Sequence, residues 1–469
     1  MPARDYLSGK RIVIFGFGRQ GRALARWLRT IGAEVVVTDS RGAKELGIRR
    51  SQYPGTRFFL RGHPEEVLIG ARAICVSGGV PLDLPIFELA RRRNIPFTND
   101  AQLFIERCPA PVIGITGSAG KTTTTSLVAK ILRVAGYTVW LGGNIGNPLI
   151  EDLPKITEND VVVMELSSFQ LELMSNSPQV AAILNLTPNH LDRHGTLERY
   201  AAAKANIIRY QKQMDVAVLG WDDPGSRAME QLVRGELSAF SAYDLVPDGA
   251  FLLGNRVFVA GSASYDSTPH VVCPRDEIPL RGDHNMANVL AACAISGSMG
   301  LAIDRPGVMP EAMREAIRAF RPVAHRLETV RRIAGVTYVN DSIATAPERL
   351  IAALQSYDEP LILLIGGADK DLPWEVALQL ALAKARHIII FGEEGEKQVA
   401  TKIMKLLSLM TVRDDQISRA QTLEEAVHRA SEVAQDGDVV LLSPGGTSYD
   451  AYADFAERGD HFRQLVSAL

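Results

Sequence analysis

Short apolar runs, many of them β-branched, alternate along this chain with segments of helical spacing. RIVIF runs into glycines, ALARWLRTIG carries apolar residues at helical intervals, and AEVVVTD is the next strand. ARAICVSGGV and NIPFTND repeat the strand-then-turn pattern, and CPAPV, just after Arg107, breaks it. A second run of elements opens on PVIGIT, turns through GSAGK and enters the helix TTTTSLVAKILRVAG. The strands DVVVMEL and VAAILNLT and the helix TLERYAAAKANIIRY follow. From about 235 to 279 the chain is rich in turns and short alternating runs, which predicts a small antiparallel insertion. NMANVLAACAISGSMG and GVMPEAMREAIRAF close this unit as helices. FRPVAHRLE reads as a hinge, and GVTYVND, PLILLIGG, HIIIFG and DVVLLSP supply the strands of a third unit. Strands alternating with helices predict α/β architecture with largely parallel sheets.

Length fits this division: 469 residues exceed what one core sustains. The expected domains are 1–107, 108–321 and 322–469, with the first and third Rossmann-like. A net charge of -3 carries no basic excess, so broad capture of nucleic acid is not expected, although a local basic pocket can still bind an anion. The four cysteines, Cys75, Cys108, Cys273 and Cys293, form no CxxC, which fits reduced thiols. The polar start MPARDYLSGK lacks the apolar core of a signal peptide, and no apolar run reads as long enough to cross a bilayer. A cytoplasmic location is expected.

The strongest chemical signal is Gly114-Ile115-Thr116-Gly117-Ser118-Ala119-Gly120-Lys121-Thr122-Thr123. A strand, a glycine turn and a helix start in succession bring backbone N–H groups and the helix dipole onto phosphate oxygens. Lys121 can reach the terminal phosphates and the Thr122 hydroxyl can face a metal ion. Ile115 stands where the usual phosphate loop has its first glycine. Glu165 ends a strand of the same unit, where a carboxylate suits Mg²⁺.

Other positions are ambiguous on their own. Gly16-Phe17-Gly18-Arg19-Gln20-Gly21 with Asp39 matches a dinucleotide fingerprint, which in isolation suggests NAD. His190 and Asp192 read more simply as loop hydrogen-bonding groups, and Lys204, set among alanines on a helix, as a solvated lysine. In RGDHNMAN, the amides of Asn285 and Asn288 can read a purine edge, or Asp283 and Asn285 can cap a helix. Asn340-Asp341-Ser342, Gly366–Lys370 and Ser443–Ser448 all follow strands, which suggests one ligand-binding edge; each is also a competent turn.

Together these segments resemble the Mur ligase superfamily over essentially the whole chain, through TGSAGKTT, NIGNP, ELSSFQLE, NHLDRH, RGDHNMAN, AHRLE, NDS and SPGGTSYDAYADFAERG. The resemblance, strongest to the D-glutamate-adding branch, implies a UDP-binding domain, a central ATPase and a mobile C-terminal domain that brings an amino acid. It implies ATP-dependent ligation of D-glutamate to UDP-N-acetylmuramoyl-L-alanine through an acyl phosphate, in peptidoglycan precursor synthesis, by a monomer with no nucleic-acid or membrane partner. Arg19, Gln20, Asp39, Ser40 and Arg41 would hold the UDP moiety, with no NAD, and Asn144 would lie near the substrate. Gly117, Ser118, Ala119, Gly120, Lys121, Thr122 and Thr123 would hold the triphosphate, and Asn285, Asn288, Arg326 and Asp341 the rest of the nucleotide. Thr122, Glu165, His190 and a carbamylated Lys204 would hold Mg²⁺, with Lys121, His190 and Lys204 catalytic. Thr345, Lys370, Ser448, Tyr449 and Phe455 would hold the amino acid. Two departures, Ile343 in place of a lysine and Ala346 in place of a polar residue, put any nucleotide contact there in doubt. The rival readings are a sibling ligase adding L-glutamate or another amino acid, an NAD(P)-dependent oxidoreductase, and a nucleotide-gated binding protein.

Overall fold

The computed structural model describes residues 5–188, 191–302, 307–321, 324–410, 412–413 and 415–469. The chain forms two compact units, Met1–Ile278 with Ala287–Phe320, and Pro279–Met286 with Arg321–Leu469. Three sheets lie within them. The first two share one unit, so the break expected at 107/108 separates sheets rather than compact units.

The first sheet comprises β1 (Arg11–Phe15), β2 (Glu34–Asp39), β3 (Arg57–Leu60), β4 (Ala71–Val76) and β5 (Phe97–Thr98). All are parallel, in the order β3-β2-β1-β4-β5. β1 and β4 are apolar and buried nearly throughout because helices cover both faces.

The second sheet is β6 (Val112–Thr116), β7 (Val139–Gly143), β8 (Val161–Glu165), β9 (Val180–Ile183), β10 (Val216–Gly220), β11 (Glu236–Ser241), β12 (Gly249–Leu253), β13 (Arg256–Gly261) and β14 (Ser267–Pro274). Its order is β14-β13-β12-β11-β10-β9-β6-β8-β7. The antiparallel character expected for 235–279 holds only from β12 to β14; β11 pairs in parallel with β10 and β12. The helix Asp283–Ala302 follows. Contrary to the sequence expectation, it is long and apolar enough to cross a membrane by length and composition. Its seven consecutive residues Val289–Ile295 are wholly buried in the protein, and seven residues go about twice round a helix, so core surrounds it on every side.

The other unit carries β15 (Glu328–Ile333), β16 (Val336–Asn340), β17 (Leu361–Gly366), β18 (Ala385–Phe391), β19 (Ile417–Ala420) and β20 (Val439–Gly445), in the order β15-β16-β20-β17-β18-β19. Only β15 runs antiparallel. Two residues of the expected hinge, Pro322 and Val323, lie outside the described residues. Segment 279–286 joins this unit through Arg281, which pairs with Glu359 and lies over the Tyr357 ring at 5.2 Å.

Candidate functional site

The glycine turn of the first sheet runs from β1 into the helix Arg19–Thr30. Gly21 lets that helix close on the strand, since a Cβ there would lie 2.1 Å from the Gly16 carbonyl oxygen. A cavity of about 660 Å³ opens above the turn, and Arg19, Gln20, Asp39, Ser40, Arg41 and Asn144 all line it. Asp39 is 3% exposed and its carboxylate accepts four donors: Phe17 N–H at 2.7 Å, Arg41 N–H at 2.9 Å, and Arg41 Nε and Nη2 at 3.0 Å each. Those contacts outweigh the cost of its burial and hold its pKa below the ordinary value. Four donors fill a carboxylate's acceptor capacity. The acid that would receive a ribose hydroxyl in a dinucleotide fold instead ties the glycine turn to the end of β2.

In the second sheet, β6 is buried throughout and delivers the loop Gly117–Gly120 to the helix Lys121–Val134. Gly120 takes the left-handed conformation at φ 82°, and a Cβ there would lie 2.2 Å from Asn288 Oδ1. Asn185, which no motif singled out, clamps the loop: its carbonyl accepts Ser118 N–H at 2.9 Å and its Oδ1 accepts Ala119 N–H at 2.8 Å. The Ser118 hydroxyl meets Tyr200 Oη at 3.0 Å. Lys121 Nζ donates to the carbonyls of Gly117 at 2.8 Å and Ser118 at 3.3 Å, so its ammonium lies across the loop. Thr123 is buried in the helix, and Thr124 Oγ1 donates to Asn288 Oδ1 at 3.3 Å.

Glu165, 2% exposed at the end of β8, joins two other candidate residues. It accepts Thr122 Oγ1–H at 2.7 Å on one oxygen and Asn144 Nδ2–H at 2.8 Å on the other. Asn144 therefore touches both this carboxylate and the first cavity. Lys204 departs from the solvated reading. It faces inward from the helix Leu197–Arg209, is 2% exposed, and donates to Thr116 Oγ1 and the Gly117 carbonyl at 3.0 Å each. The Tyr200 ring lies 4.9 Å from its Nζ. Burial, then the charge of Lys121, push its pKa well below the ordinary lysine value against the pull of Glu165.

Among the described residues, no three His, Cys, Asp or Glu side chains cluster as a metal site. His190 lies outside the described residues, and the side chain of Asp192 is likewise not described. Glu165 and Thr122 supply converging hard oxygens of the kind Mg²⁺ takes, and phosphate oxygens would have to complete such a set.

In the other unit, Asp341 is 4% exposed and accepts Ser443 Oγ–H at 2.9 Å and Leu327 N–H at 3.2 Å. Burial pushes its carboxyl up to about 7, against those two bonds and the charges of Arg326 and Arg349. Asn285 donates Nδ2–H to the Arg281 carbonyl at 2.8 Å, across its own helix start. Lys370 Nζ and Thr345 Oγ1 are 3.3 Å apart, Ser448 is buried, and Tyr449 is exposed. The Phe455 ring packs edge-on to His325, 6.2 Å between centroids. Ile343 places its N–H on the His325 carbonyl at 3.2 Å, and Ala346 precedes the helix Pro347–Gln355. Arg458, on the helix Phe455–Ala468, was not among the expected site residues. Its guanidinium, 1% exposed, donates to Ser342 Oγ and the carbonyls of Ser342, Gly446 and Thr447 at 2.9–3.1 Å. Burial lowers its pKa to about 10. It fastens two of the three polar loops together. Nothing in its local sequence separates it from a surface arginine.

A strand, a phosphate loop and a helix in succession, with an acid at the end of the neighbouring strand, define a nucleotide-binding α/β protein. The chain belongs to the Mur ligase family. Three family models match it in order: a Mur ligase MurD-like N-terminal domain at 10–99, a Mur ligase middle domain at 115–296, and a Mur ligase glutamate ligase domain at 325–446. It is 37% identical to the UDP-N-acetylmuramoylalanine–D-glutamate ligase of Clostridium tetani, covering 99% of this chain and 98% of that one. It is 40% identical to the enzyme of the same name from Symbiobacterium thermophilum, covering 98% of each. Among solved structures its fold is similar to UDP-N-acetylmuramate–alanine ligase from Thermotoga maritima, with a TM-score of 0.57 at 20% identity over 98% of this chain and 99% of that one. It is similar too to the MurF ligase of the same organism in complex with ADP, with a TM-score of 0.56 at 18% identity over 100% and 97% of the two chains.

Proposed function

We propose that the protein joins D-glutamate to UDP-N-acetylmuramoyl-L-alanine at the expense of ATP, as a cytoplasmic step in peptidoglycan precursor synthesis. The observation that carries this reading is Asn144, whose side chain meets Glu165 beside the phosphate loop while the residue lines the first cavity. An acceptor held by its UDP end in that cavity reaches toward the triphosphate end of ATP. The domain limits 1–107, 108–321 and 322–469 belong to the same proposal.

A carboxylate is a poor electrophile because its oxygen leaves badly. The acceptor carboxylate attacks the γ-phosphorus, ADP leaves, and the acyl phosphate then carries a good leaving group. The amino group of glutamate attacks the acyl carbon and phosphate departs. Lys121, released from the Gly117 and Ser118 carbonyls, offsets the charge that builds between two anionic reactants. Mg²⁺, when bound, supplies further neutralisation of the triphosphate, and Thr122 and Glu165, with His190, would hold it. Lys204 would join them as a carbamate. Its depressed pKa leaves a neutral amine whose lone pair can form a bond to the carbon of CO₂, with the amine proton passing to solvent. A buried amine beside Lys121 thereby becomes an anionic oxygen ligand. In the other unit Lys370 and Thr345 would take a glutamate carboxylate, with Ser448, Tyr449 and Phe455 around it. Asn285, Asn288, Arg326 and Asp341 would hold the nucleotide.

The deciding experiment supplies the full chain with ATP, UDP-N-acetylmuramoyl-L-alanine and a panel of amino acids, and identifies the product by mass and chirality. Incorporation of D-glutamate is expected. Preference for L-glutamate would overturn the stereochemical part, and no ATP-dependent product at all would overturn the ligase.

A further inference from the structure

We infer that His63 reads the base of the bound nucleotide, its Nε2 accepting the N3–H of uracil; this rests on the UDP reading of the first cavity. His63 lines that cavity. Its Nδ1 lies 2.8 Å from Thr38 Oγ1, and the same hydroxyl lies 2.9 Å from the Gly62 carbonyl oxygen. A carbonyl can only accept, and a hydroxyl has one proton to give. Thr38 therefore spends its proton on Gly62, and the bond to His63 runs the other way, from Nδ1–H to Oγ1. A neutral imidazole with its proton on Nδ1 carries a lone pair on Nε2.

The surroundings keep that form. Burial lowers the pKa of His63 below the ordinary histidine value against the pull of Asp39, so the ring is neutral at pH 7. The Phe15 ring packs on it at 5.2 Å between centroids, and its partner Thr38 is wholly buried. Among the described residues, Nε2 has no hydrogen-bond partner. Asp39, the carboxylate that lines the same cavity, has its oxygens filled by Phe17 and Arg41.

The chemistry of the base matches. The pairing edge of uracil reads acceptor, donor, acceptor, and its central N3–H needs an acceptor on the protein. Cytosine presents a lone pair at N3, which would face the lone pair of Nε2. An acceptor placed here both binds uracil and rejects cytosine, because the mismatch leaves a desolvated group unpaired.

The test is calorimetric titration of the full chain with UDP and with N3-methyl-UDP, on the wild type and on His63→Phe and His63→Gln. The wild type is expected to bind UDP about tenfold more tightly than the N3-methyl compound. His63→Phe should lose most of that preference, whereas His63→Gln, which keeps an acceptor oxygen, should restore part of it. A methyl penalty unchanged in His63→Phe would mean steric exclusion and overturn the inference. So would a wild type indifferent to methylation, which leaves the UDP reading standing. A wild type that binds neither compound overturns both.

Discussion

Two strand–glycine turn–helix junctions lie in the same compact unit, at Gly16–Gly21 and at Gly117–Lys121, and their chemistry is opposite. In the first, an acid from the next strand has already taken the turn's Phe17 N–H, so one of the turn's donors is spent on an internal anion. In the second, the acid of the neighbouring strand is turned toward Thr122, and a lysine lies over the loop and donates to its carbonyls. The backbone motif creates positive potential in both. What the potential is used for depends on the side chains that reach it from other strands.

The largest expected effect tests the second turn. Lys121→Ala should lower the ligation rate by about a hundredfold or more, with an unchanged circular dichroism spectrum. Near-normal turnover would falsify the assignment of the loop. Next, Lys204→Ala should lose most activity, and added short carboxylates should return part of it. Carbon-13 labelling with bicarbonate should give a carbamate signal in the wild type and none in the variant; a fully active enzyme without that signal breaks the metal-ligand reading.

A steric pair sharpens the comparison. Gly120→Ala forces both a left-handed φ and a contact with Asn288, and is expected to cost about 1–3 kcal/mol. Gly18→Ala has φ -76° and open space around its Cβ, so about 0.5 kcal/mol or less is expected. Equal melting temperatures for these two variants would show that the turns are not differently packed.

The smallest effect concerns pH. The pKa of Asp39 is lowered in the fold, so its stabilisation is present above 3.8 and is lost as pH falls through the folded value. Lys204 is shifted the other way in consequence: its unfolded form binds the extra proton, so its penalty is felt at neutral pH and fades as pH rises toward 10.5. Stability curves of Asp39→Asn and Lys204→Met should therefore converge on the wild type at opposite ends of the pH range, the first in acid and the second in alkali. Convergence at the same end contradicts the burial and pairing described for one of them.

Most of the parallel core strands and the phosphate loop were legible in the sequence because apolar runs and a glycine-rich turn are local signals, although β10, buried throughout, was not singled out. Of the edge strands, β5 was read in NIPFTND, but β15 and β19 were not. β15 is half exposed and reads ETVRRI, and β19 has only four residues, so neither carries the apolar run that marks a strand buried on both faces. The burial of Lys204 was out of reach of local pattern for a related reason. Its alanine neighbours look the same whether a helix faces water or a neighbouring strand, and only the tertiary structure reveals that its ammonium is enclosed. The resemblance supplied that residue where physics alone favoured a solvated one. Asp39 shows another limit of local pattern: the sequence places it at the end of β2, but the donors that saturate it come partly from Arg41, two residues on, and partly from the turn itself.

The path of the chain has a practical consequence. Because 279–286 belongs with the C-terminal sheet while the residues on both sides of it belong elsewhere, the backbone passes between units three times, not once. A protease that nicks the connection near Arg321 would leave two fragments, one of which still carries eight residues native to the other's fold. Neither fragment is then a complete module. Swapping the C-terminal domain between relatives at that point would exchange the sheet but leave behind the Arg281 that packs on Tyr357, so a chimera needs its second and third joints at Pro279 and Met286.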